Sequence, residues 1–298
     1  MSHQAPHFVG IGAQRAGTGW LYKNLRRHPD FFLAPLKEVH YFDSLDDTAL
    51  SLPKVHQREY RLRNHLITCL KSLSATAIDR ERNWDLTANF WWNYFSEGSD
   101  LDWYTSLFSQ AAQAGKITGE ITPAYALLSE PYIKQLKDIN RDLKIIYILR
   151  NPIDRSFSHA TKALIKGKNT KAKDISTENL IDFVKSRNCY ERSDYLKSIR
   201  NFQKYFSPEN MFICFFDEIQ AQPVELLQRI YQFLGVKEVI FADNLPSRKV
   251  NSSSYLKKMP QELAQVLIDM YREDMQHIAR ELGGYAVNWL ESVQEQEV

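Results

Sequence analysis

The stretch that decides the fold is HFVGIGAQRAGTGWLYKNL, residues 7–25. It begins with the apolar run Phe8–Ile11, and the glycine-containing segment 12–18 follows. Large apolar residues then recur at helical spacing, at Trp20, Leu21 and Leu25. The pattern predicts a strand, a glycine-rich loop and a helix in that order. Such a loop exposes backbone N–H groups at the positive end of a helix dipole, which favours phosphate binding.

The spacing of Gly12 and Gly17 matches the first part of the P-loop motif of ATPases, but the rest of that motif is missing. Thr18 and Gly19 stand where an ATPase has the lysine that reaches the β- and γ-phosphates and the hydroxyl that binds Mg²⁺. A cation, Arg15, lies inside the loop instead. We therefore expect a phosphate site that is not an ordinary ATPase site. The alternative is a plain strand–turn–helix corner whose glycines only permit close packing.

The composition bounds the class of protein. The chain has 298 residues, 44% hydrophobic and 12% aromatic, which suffices for one large α/β domain or two small ones. A net charge of +2 gives no overall case for nucleic-acid binding. The odd number of cysteines (Cys69, Cys189 and Cys214), without metal-type spacing, is typical of a reducing compartment. We see no signal peptide and no apolar run long enough to span a membrane, so we expect a cytoplasmic location.

Five short apolar segments separated by helical patterns are the strand candidates. They are residues 8–13, 31–34, 116–122, 144–150 and 211–216. Their continuous apolar character indicates strands buried on both faces, as in a parallel sheet covered by helices. The predicted fold class is therefore α/β, a single P-loop-like domain with a central parallel sheet flanked by helices. Helix boundaries are predicted from capping and proline signals at Asn151–Pro152, Ser193, Pro223, Gly235, Pro260 and Gly283.

The region of about residues 44–115 differs from the rest because it has no clear strand and many aromatic residues. We predict a helical insertion here, within a single domain that spans residues 1–298. The pair Trp91–Trp92 and the basic segment Lys54–Lys71 are candidates for lining an acceptor cleft. The more common explanation for most of these aromatic residues is a core beneath the inserted helices.

The segment YILRNPIDRSFSHA, residues 147–160, carries a second candidate anion site. Arg150 ends a predicted strand at the carboxyl edge of the sheet, where α/β proteins bind ligands. Ser158 follows two turns along the next helix, so a guanidinium and a hydroxyl could hold one phosphate. The alternative is that Arg150 pairs with a carboxylate such as Asp154 and that Ser158 faces a neighbouring helix.

Two further segments carry polar residues in apolar surroundings. In LKEVHYFD, residues 36–43, Glu38 and His40 are two apart and share a face if the chain is extended, which makes them general-base candidates. The alternative is a solvated Lys37–Glu38 pair and a satisfied histidine. In GEITPAYAL, residues 119–127, Glu120 lies within an apolar run, so its charge is either paired or functional.

Together and in this order, these segments resemble the sulfotransferases that use 3′-phosphoadenosine 5′-phosphosulfate (PAPS), most of all the sulfotransferase domain of heparan sulfate and bacterial carbohydrate enzymes. RAGTGWL, residues 15–21, resembles the family's 5′-phosphosulfate loop K-x-G-T-x-x-L. ILRNPIDRSFSH resembles its 3′-phosphate element, with Arg150 and Ser158 on the two binding positions. KEVHYFD resembles the segment with the catalytic glutamate and a nearby histidine, and GEITPAY a further active-site segment. The likeness covers the chain outside residues 43–115.

The resemblance implies PAPS as sulfate donor, adenosine 3′,5′-bisphosphate (PAP) as product, and no metal. It implies Glu38 as the base, with His40 and Arg15 as further catalytic residues. The donor-binding residues it implies are Arg15, Ala16, Gly17, Thr18, Gly19, Trp20, Arg150, Ser158, Arg248, Lys249 and Asn251. The implied acceptor is a hydroxyl or amine of a carbohydrate, small molecule or lipid. Because we see no signal peptide or membrane anchor, unlike in the Golgi relatives, we expect a soluble bacterial-type protein, and the net charge predicts no nucleic-acid partner.

Two positions depart from the family pattern. The loop lysine is Arg15 here, which keeps the charge but has a wider fork than an ammonium group. A lysine that some glycan-modifying relatives carry after Gly-Glu is Ile121 here. The rival interpretations are a non-catalytic nucleotide-binding module and a P-loop kinase, which would need a lysine beside Gly17 and Mg²⁺ ligands.

Overall fold

The computed structural model describes residues 6–48, 84–96, 98–168, 175–237 and 258–294. Its sheet has five strands: Phe8–Gly12 (β1), Phe31–Leu33 (β2), Ile117–Ile121 (β3), Lys144–Leu149 (β4) and Met211–Phe215 (β5). Their order across the sheet is β2-β3-β1-β4-β5, and every neighbouring pair is parallel. Each strand lies within one residue of its predicted bounds, so the α/β class with a central parallel sheet is confirmed.

Helices alternate with the strands along the chain, as expected for an α/β fold, and they flank the sheet. In the first half of the chain they are Thr18–Arg27 (α1), Phe42–Leu45 (α2), Trp84–Phe95 (α3), Leu101–Gln113 (α4) and Glu130–Ile139 (α5). In the second half they are Pro152–Lys168 (α6), Thr177–Lys185 (α7), Arg187–Tyr190 (α8), Tyr195–Gln203 (α9), Phe216–Ala221 (α10), Pro223–Leu234 (α11), Gln261–Leu282 (α12) and Tyr285–Gln294 (α13). None of the helices that the structure describes is long and apolar enough to cross a membrane.

The capping signals place most helix ends correctly. The Asn151 side chain accepts a hydrogen bond from the Ile153 N–H at 2.9 Å at the start of α6, and Gly235 caps α11 in the left-handed conformation. The prediction that Ser193 is the N-cap of the following helix is wrong. Asp194 caps α9 by accepting from the Lys197 N–H, because Ser193 lies in a preceding 3₁₀ turn and its hydroxyl is taken by a buried arginine.

The core explains why the strands have continuous apolar sequences. All five residues of β1 are buried, and so are the last five of β4 beside it. Because helices cover both faces of the sheet, neither set of alternating side chains meets water, and a polar–apolar alternation is not needed. Glu120 in β3 is the exception to this apolar pattern, because it is an ionisable residue that is fully buried.

The topology creates a crevice at the carboxyl ends of β1 and β4. After β1 the chain continues to β2 and β3 on one side, whereas β4 and β5 lie on the other side. Ligands of open α/β sheets bind at such a point, where the direction of winding changes. The loop after β1 and Arg150 after β4 both lie at this edge.

The described part of the region 44–115 is helical. Helices α3 and α4 pack together through aromatic rings, among them Phe90, Tyr94, Trp103 and Phe108. Trp91 is partly buried, whereas Trp92 is 77% exposed. Residues 49–83, which include Lys54–Lys71, lie outside the described residues. The single domain with an insertion at about 44–115 stays a prediction.

Candidate active site

The loop between β1 and α1 is shaped by two glycines. Gly12 and Gly17 have φ angles of 150° and 92°, a region that side chains rarely adopt. A Cβ on Gly17 would also lie 2.5 Å from Ile219 Cδ1 of α10, so the end of that side chain would have to shift. Gly17 is the N-cap of α1, and the first N–H groups of that helix have no intrahelical acceptor. The loop therefore has the backbone conformation and the helix N-terminus that an anion site requires, and anion binding here stays a prediction.

Arg150 is held against the loop by several contacts. Its Nη1 donates to the Arg15 carbonyl at 3.1 Å, and the Nε of Arg15 donates to Ser158 Oγ at 3.0 Å. The Arg150 guanidinium also lies 4.7 Å from the centre of the Phe216 ring. Its contact with Asp154 is long, 3.9 Å, and Asp154 is largely exposed, so this pair contributes little. Within the described residues, the buried Nε of Arg150 has no hydrogen-bond partner.

Glu38 and His40 are in contact, although their segment is neither a strand nor a helix. His40 Nε2 lies 3.3 Å from Glu38 Oε2, and His40 Nδ1 lies 2.7 Å from Asp43 Oδ2. His40 has a left-handed φ of 60°, so the two side chains meet through a turn rather than through an extended face. Lys37 Nζ also pairs with Glu38 Oε1 at 3.0 Å. The alternative to a general base was a Lys37–Glu38 pair and a histidine with satisfied hydrogen bonds, and both of these features are present.

These contacts set the charges of the pair. Burial disfavours ionisation of Glu38, but the hydrogen bond from His40 and the charge of Lys37 outweigh it and lower the pKa to about 2. Burial likewise works against the imidazolium, but the hydrogen bonds to Asp43 and Glu38 raise the pKa of His40 to about 9. At neutral pH Glu38 is therefore a carboxylate, and His40 is an imidazolium that donates from both nitrogens.

Glu120 holds this segment in place from β3. Its Oε1 accepts from the hydroxyls of Tyr104 (2.6 Å) and Tyr125 (3.0 Å), and its Oε2 accepts from that of Thr122 (2.6 Å). The N–H of Val39, between the base candidate and the histidine, donates to Glu120 Oε2 and Thr122 Oγ1 at 3.2 and 3.0 Å. Complete burial raises the pKa of Glu120, and these hydroxyl donors act against that rise. The charge in the apolar run is thus hydrogen-bonded and positions the neighbouring segment.

A single cleft of about 400 Å³ joins the predicted segments. The residues that line it come from the loop after β1 and the start of α1, the segment before α2, the turn after β3, the residue after β4, helix α6 and helix α10. They are Gln14, Arg15, Gly17, Thr18, Gly19, Lys37, Glu38, Pro123, Arg150, Asp154, Phe157, Ser158, Thr161, Lys162, Phe216 and Gln220. The loop, the Arg150–Ser158 pair and the base candidate therefore face one space.

Other predicted site residues do not line this cleft or cannot be placed. Ala16 and Trp20 are buried, and neither they nor His40 is among the lining residues. Arg248, Lys249 and Asn251 lie outside the described residues. Their roles stay predictions. Among the residues that the structure describes, no group of three or more His, Cys, Asp or Glu side chains could hold a metal ion.

Several lining residues were missed by sequence reasoning, although signals for some of them exist. Thr161 and Lys162 follow Ser158 by three and four positions, so helical periodicity places them on the same face of α6. Phe216 and Gln220 follow β5 at the carboxyl edge, where the rule that selected Arg150 also applies. Lys37 was considered only as a solvated partner of Glu38.

The positive side of the cleft extends into α6. Arg155 is fully buried and donates to Ser193 Oγ and to the Cys189 carbonyl, both uncharged. Burial, followed by the charges of Arg155 and Arg192, lowers the pKa of His159 to about 2, so this histidine is neutral. A helix that carries buried and cleft-lining cations favours a polyanionic ligand.

A family model described as a sulfotransferase domain matches residues 5–277 of the chain. The chain is 23% identical over 265 residues to heparan sulfate glucosamine 3-O-sulfotransferase 3B1 of Homo sapiens, an alignment that covers 86% of this chain and 53% of that protein. It is also 23% identical over 206 residues to the membrane-associated sulfotransferase kil1 of Dictyostelium discoideum, with 67% of this chain and 31% of that protein covered. The chain thus spans about half or less of the length of these curated relatives.

Among solved structures, a sulfotransferase from Alicyclobacillus acidocaldarius superposes with a TM-score of 0.63 and 20% identity. The superposition covers 95% of this chain and 98% of that one. At this identity the likeness shows a shared fold, and it agrees with the sheet described above.

Proposed function

The chain belongs to the sulfotransferase domain family, and on that premise we propose that it transfers a sulfuryl group from PAPS to a hydroxyl or amine of an acceptor. The observation that carries the proposal is the single cleft that contains the N-terminus of α1, the Arg150–Ser158 pair and Glu38. A phosphate-binding loop alone would also suit other nucleotides, but the carboxylate on the same cleft supplies a base for an acceptor.

The residues of the cleft fit a donor with several negative charges. Four lining side chains are cations and two are carboxylates, namely Arg15, Lys37, Arg150 and Lys162 against Glu38 and Asp154. The buried Nε of Arg150, an N–H donor, lacks a hydrogen-bond partner in the described part of the chain. We propose that the loop and Thr18 bind the 5′-phosphosulfate and that Arg150 and Ser158 bind the 3′-phosphate.

Glu38 acts as the base in this proposal. Its carboxylate takes the acceptor proton while the acceptor oxygen or nitrogen attacks sulfur and the bond from sulfur to the 5′-phosphate breaks. A positioned base of this type contributes about 10²–10⁴-fold to a rate. His40, held by Asp43 at 2.7 Å, orients the Glu38 carboxylate.

We propose the acceptor only by its chemical class, which is a carbohydrate, a small molecule or a lipid. The curated relatives named for heparan sulfate glucosamine support a carbohydrate. Ile121, where some glycan-modifying relatives have a lysine, is fully buried, so this position does not contact an acceptor in the cleft. The cytoplasmic location and the bacterial type stay proposals.

Nucleotide binding tests the donor assignment. Thermal-shift titration with PAP should raise the Tm of the full chain with saturation, because a ligand that binds only the folded state stabilises it. ATP with Mg²⁺ is the control, and a larger shift with ATP–Mg²⁺ than with PAP would favour the kinase alternative.

Transfer of ³⁵S from labelled PAPS tests the activity itself. The acceptor panel contains desulfated heparan oligosaccharides, simple phenols, a sterol and a tyrosine peptide. Labelled product with at least one acceptor is the expected result. PAP binding without labelled product from any acceptor class would support the non-catalytic module instead.

A further inference from the structure

Lys37 lies between the phosphate-binding loop and the proposed base. Its Nζ is 3.4 Å from Thr18 Oγ1, at the start of α1, and 3.0 Å from Glu38 Oε1. All three residues line the cleft. Its ammonium group is therefore located where the reactive end of a donor held by the loop would meet an acceptor held at Glu38.

Hydrogen bonds of the two cleft arginines lie on the side of the proposed 3′-phosphate and of the loop backbone. Arg15, the residue expected to contact the reacting group, donates from Nε to Ser158, on the proposed 3′-phosphate side. Arg150 supports the Arg15 carbonyl and lies over Phe216. Neither of these contacts reaches Glu38, whereas Lys37 contacts it directly.

The position after Gly-Glu cannot supply a cation in this chain. Ile121 is fully buried, and its Cγ atoms are 3.0 Å from where a Cβ on Gly10 would lie, so the side chain packs on β1. Any contact of a lysine with the donor therefore involves another segment. Of the lysines that line the cleft, Lys37 is bonded to both the loop and the base, and Lys162 lies one turn beyond Ser158 on α6.

We infer that Lys37 is a catalytic residue whose ammonium group donates a hydrogen bond to the sulfuryl group as it is transferred, an inference that rests on the proposed function. The acceptor oxygen forms a bond to sulfur, and the bond from sulfur to the bridging oxygen breaks. The electron pair of that bond goes to the leaving phosphate, and the acceptor proton goes to Glu38. A fixed ammonium at this point stabilises the charge on the oxygens that surround sulfur.

Loss of the same contact when the donor binds makes Glu38 a better base. Lys37 is one of the groups that stabilise the ionised form of Glu38, after the hydrogen bond from His40. When the ammonium donates to the sulfuryl group instead, the carboxylate loses one stabilising donor and becomes more basic. Donor binding would thus prepare the base for the proton that it takes.

The test compares the binding of two nucleotides that differ only in the sulfuryl group. Isothermal titration calorimetry measures the Kd of PAPS and of PAP, without acceptor, for the wild type and for Lys37→Met. We expect the variant to bind PAPS about tenfold more weakly and PAP within twofold of the wild type, because a charge-assisted hydrogen bond to the sulfuryl group is lost. Lys37→Arg, which keeps the charge, should recover part of the difference. Lys23→Met, on the exposed face of α1, controls for net charge.

The outcomes are distinguishable. Equal effects on PAPS and PAP, or no effect on either, in both the Lys37→Met and Lys37→Arg proteins would overturn the assignment of Lys37. A Lys37→Met protein that fails to fold leaves the Lys37→Arg comparison, where a smaller but PAPS-selective loss is expected and an unselective one contradicts the inference. A wild type that binds neither nucleotide would contradict the proposed function instead.

Discussion

The two halves of the cleft are built in different ways. The donor half consists of two strand-to-helix connections, from β1 to α1 and from β4 to α6, whose geometry follows directly from neighbouring strands of the sheet. The half that contains Glu38 is an irregular segment between β2 and α2. Two of its backbone N–H groups donate to side chains: that of Val39 to Glu120 of β3, and that of Tyr41 to the hydroxyl of Tyr125. Glu120 is held in turn by the hydroxyl of Tyr104 from α4.

This difference separates two kinds of sensitivity. The donor half depends on backbone conformation and on the absence of a side chain at Gly17. The other half depends on individual polar side chains whose loss leaves buried groups without partners. Substitutions in the first half should therefore weaken the binding of PAP, and substitutions in the second should affect transfer with PAP binding retained.

The largest expected effect is that of Glu38→Ala on transfer. Loss of the base should lower kcat by about 10²–10⁴-fold. The Kd of PAP should stay within about twofold, because the loop and Arg150 are unchanged. Single-turnover assays with labelled PAPS and calorimetry with PAP measure the two quantities. Full activity in this variant would exclude Glu38 as the base.

Gly17→Ala tests the donor half. A left-handed residue with a side chain costs about 1–2 kcal/mol, and the 2.5 Å contact with Ile219 adds to it. We expect PAP affinity to fall at least tenfold and the Tm to fall. Gly235→Ala is the matched control, since its φ of 78° is similar but a Cβ there meets nothing within 4 Å. If both variants bind PAP like the wild type, the loop is not the nucleotide site.

The same contrast explains what the sequence could reveal. The strands, the loop and the Arg150–Ser158 pair were predictable because each depends on a local pattern, an apolar run or a helical spacing. The partners Val39 and Tyr104 of Glu120 were not, because they come from two other segments and no periodicity connects them with Glu120. Nor did the sequence indicate the left-handed backbone of His40, or that Lys37 reaches Thr18 across 19 positions.

Glu120→Ala tests the segment that carries the base. It removes the acceptor of four donors in a fully buried place, so we expect the free energy of unfolding to fall by about 3 kcal/mol. Transfer should fall at least tenfold in the folded protein, with PAP affinity within twofold. Urea unfolding and the transfer assay measure these effects.

Two further variants make the Glu120 result interpretable. Glu120→Gln retains one oxygen and should give intermediate losses, which covers the case in which the alanine variant does not fold. Glu130→Ala removes a carboxylate that accepts from Lys204 and Tyr205 on the surface, where such contacts contribute little, and should change neither quantity appreciably. Equal losses in the Glu120 and Glu130 variants would contradict a positioning role for Glu120.

The smallest predicted effect is the pH dependence that His40 gives to stability. Its pKa is raised to about 9 in the folded protein, against an ordinary value of 6.5. The stabilisation is therefore fully present below about pH 6.5 and is lost as the pH rises through about 9, with roughly 2 kcal/mol at stake. His40→Asn, chosen because asparagine tolerates a positive φ, removes this contribution.

The measurement is the difference in free energy of unfolding between the wild type and His40→Asn, taken at pH 6 and at pH 9.5 by urea titration. Taking the difference cancels the groups that titrate equally in both proteins. The advantage of the wild type should be largest at pH 6 and should shrink at pH 9.5, because the neutral imidazole can no longer donate to both Glu38 and Asp43. A pH-independent difference would mean that His40 is neutral between its two carboxylates. The irregular half of the cleft would then depend on packing rather than on charge, which is the opposite of what its hydrogen bonds indicate.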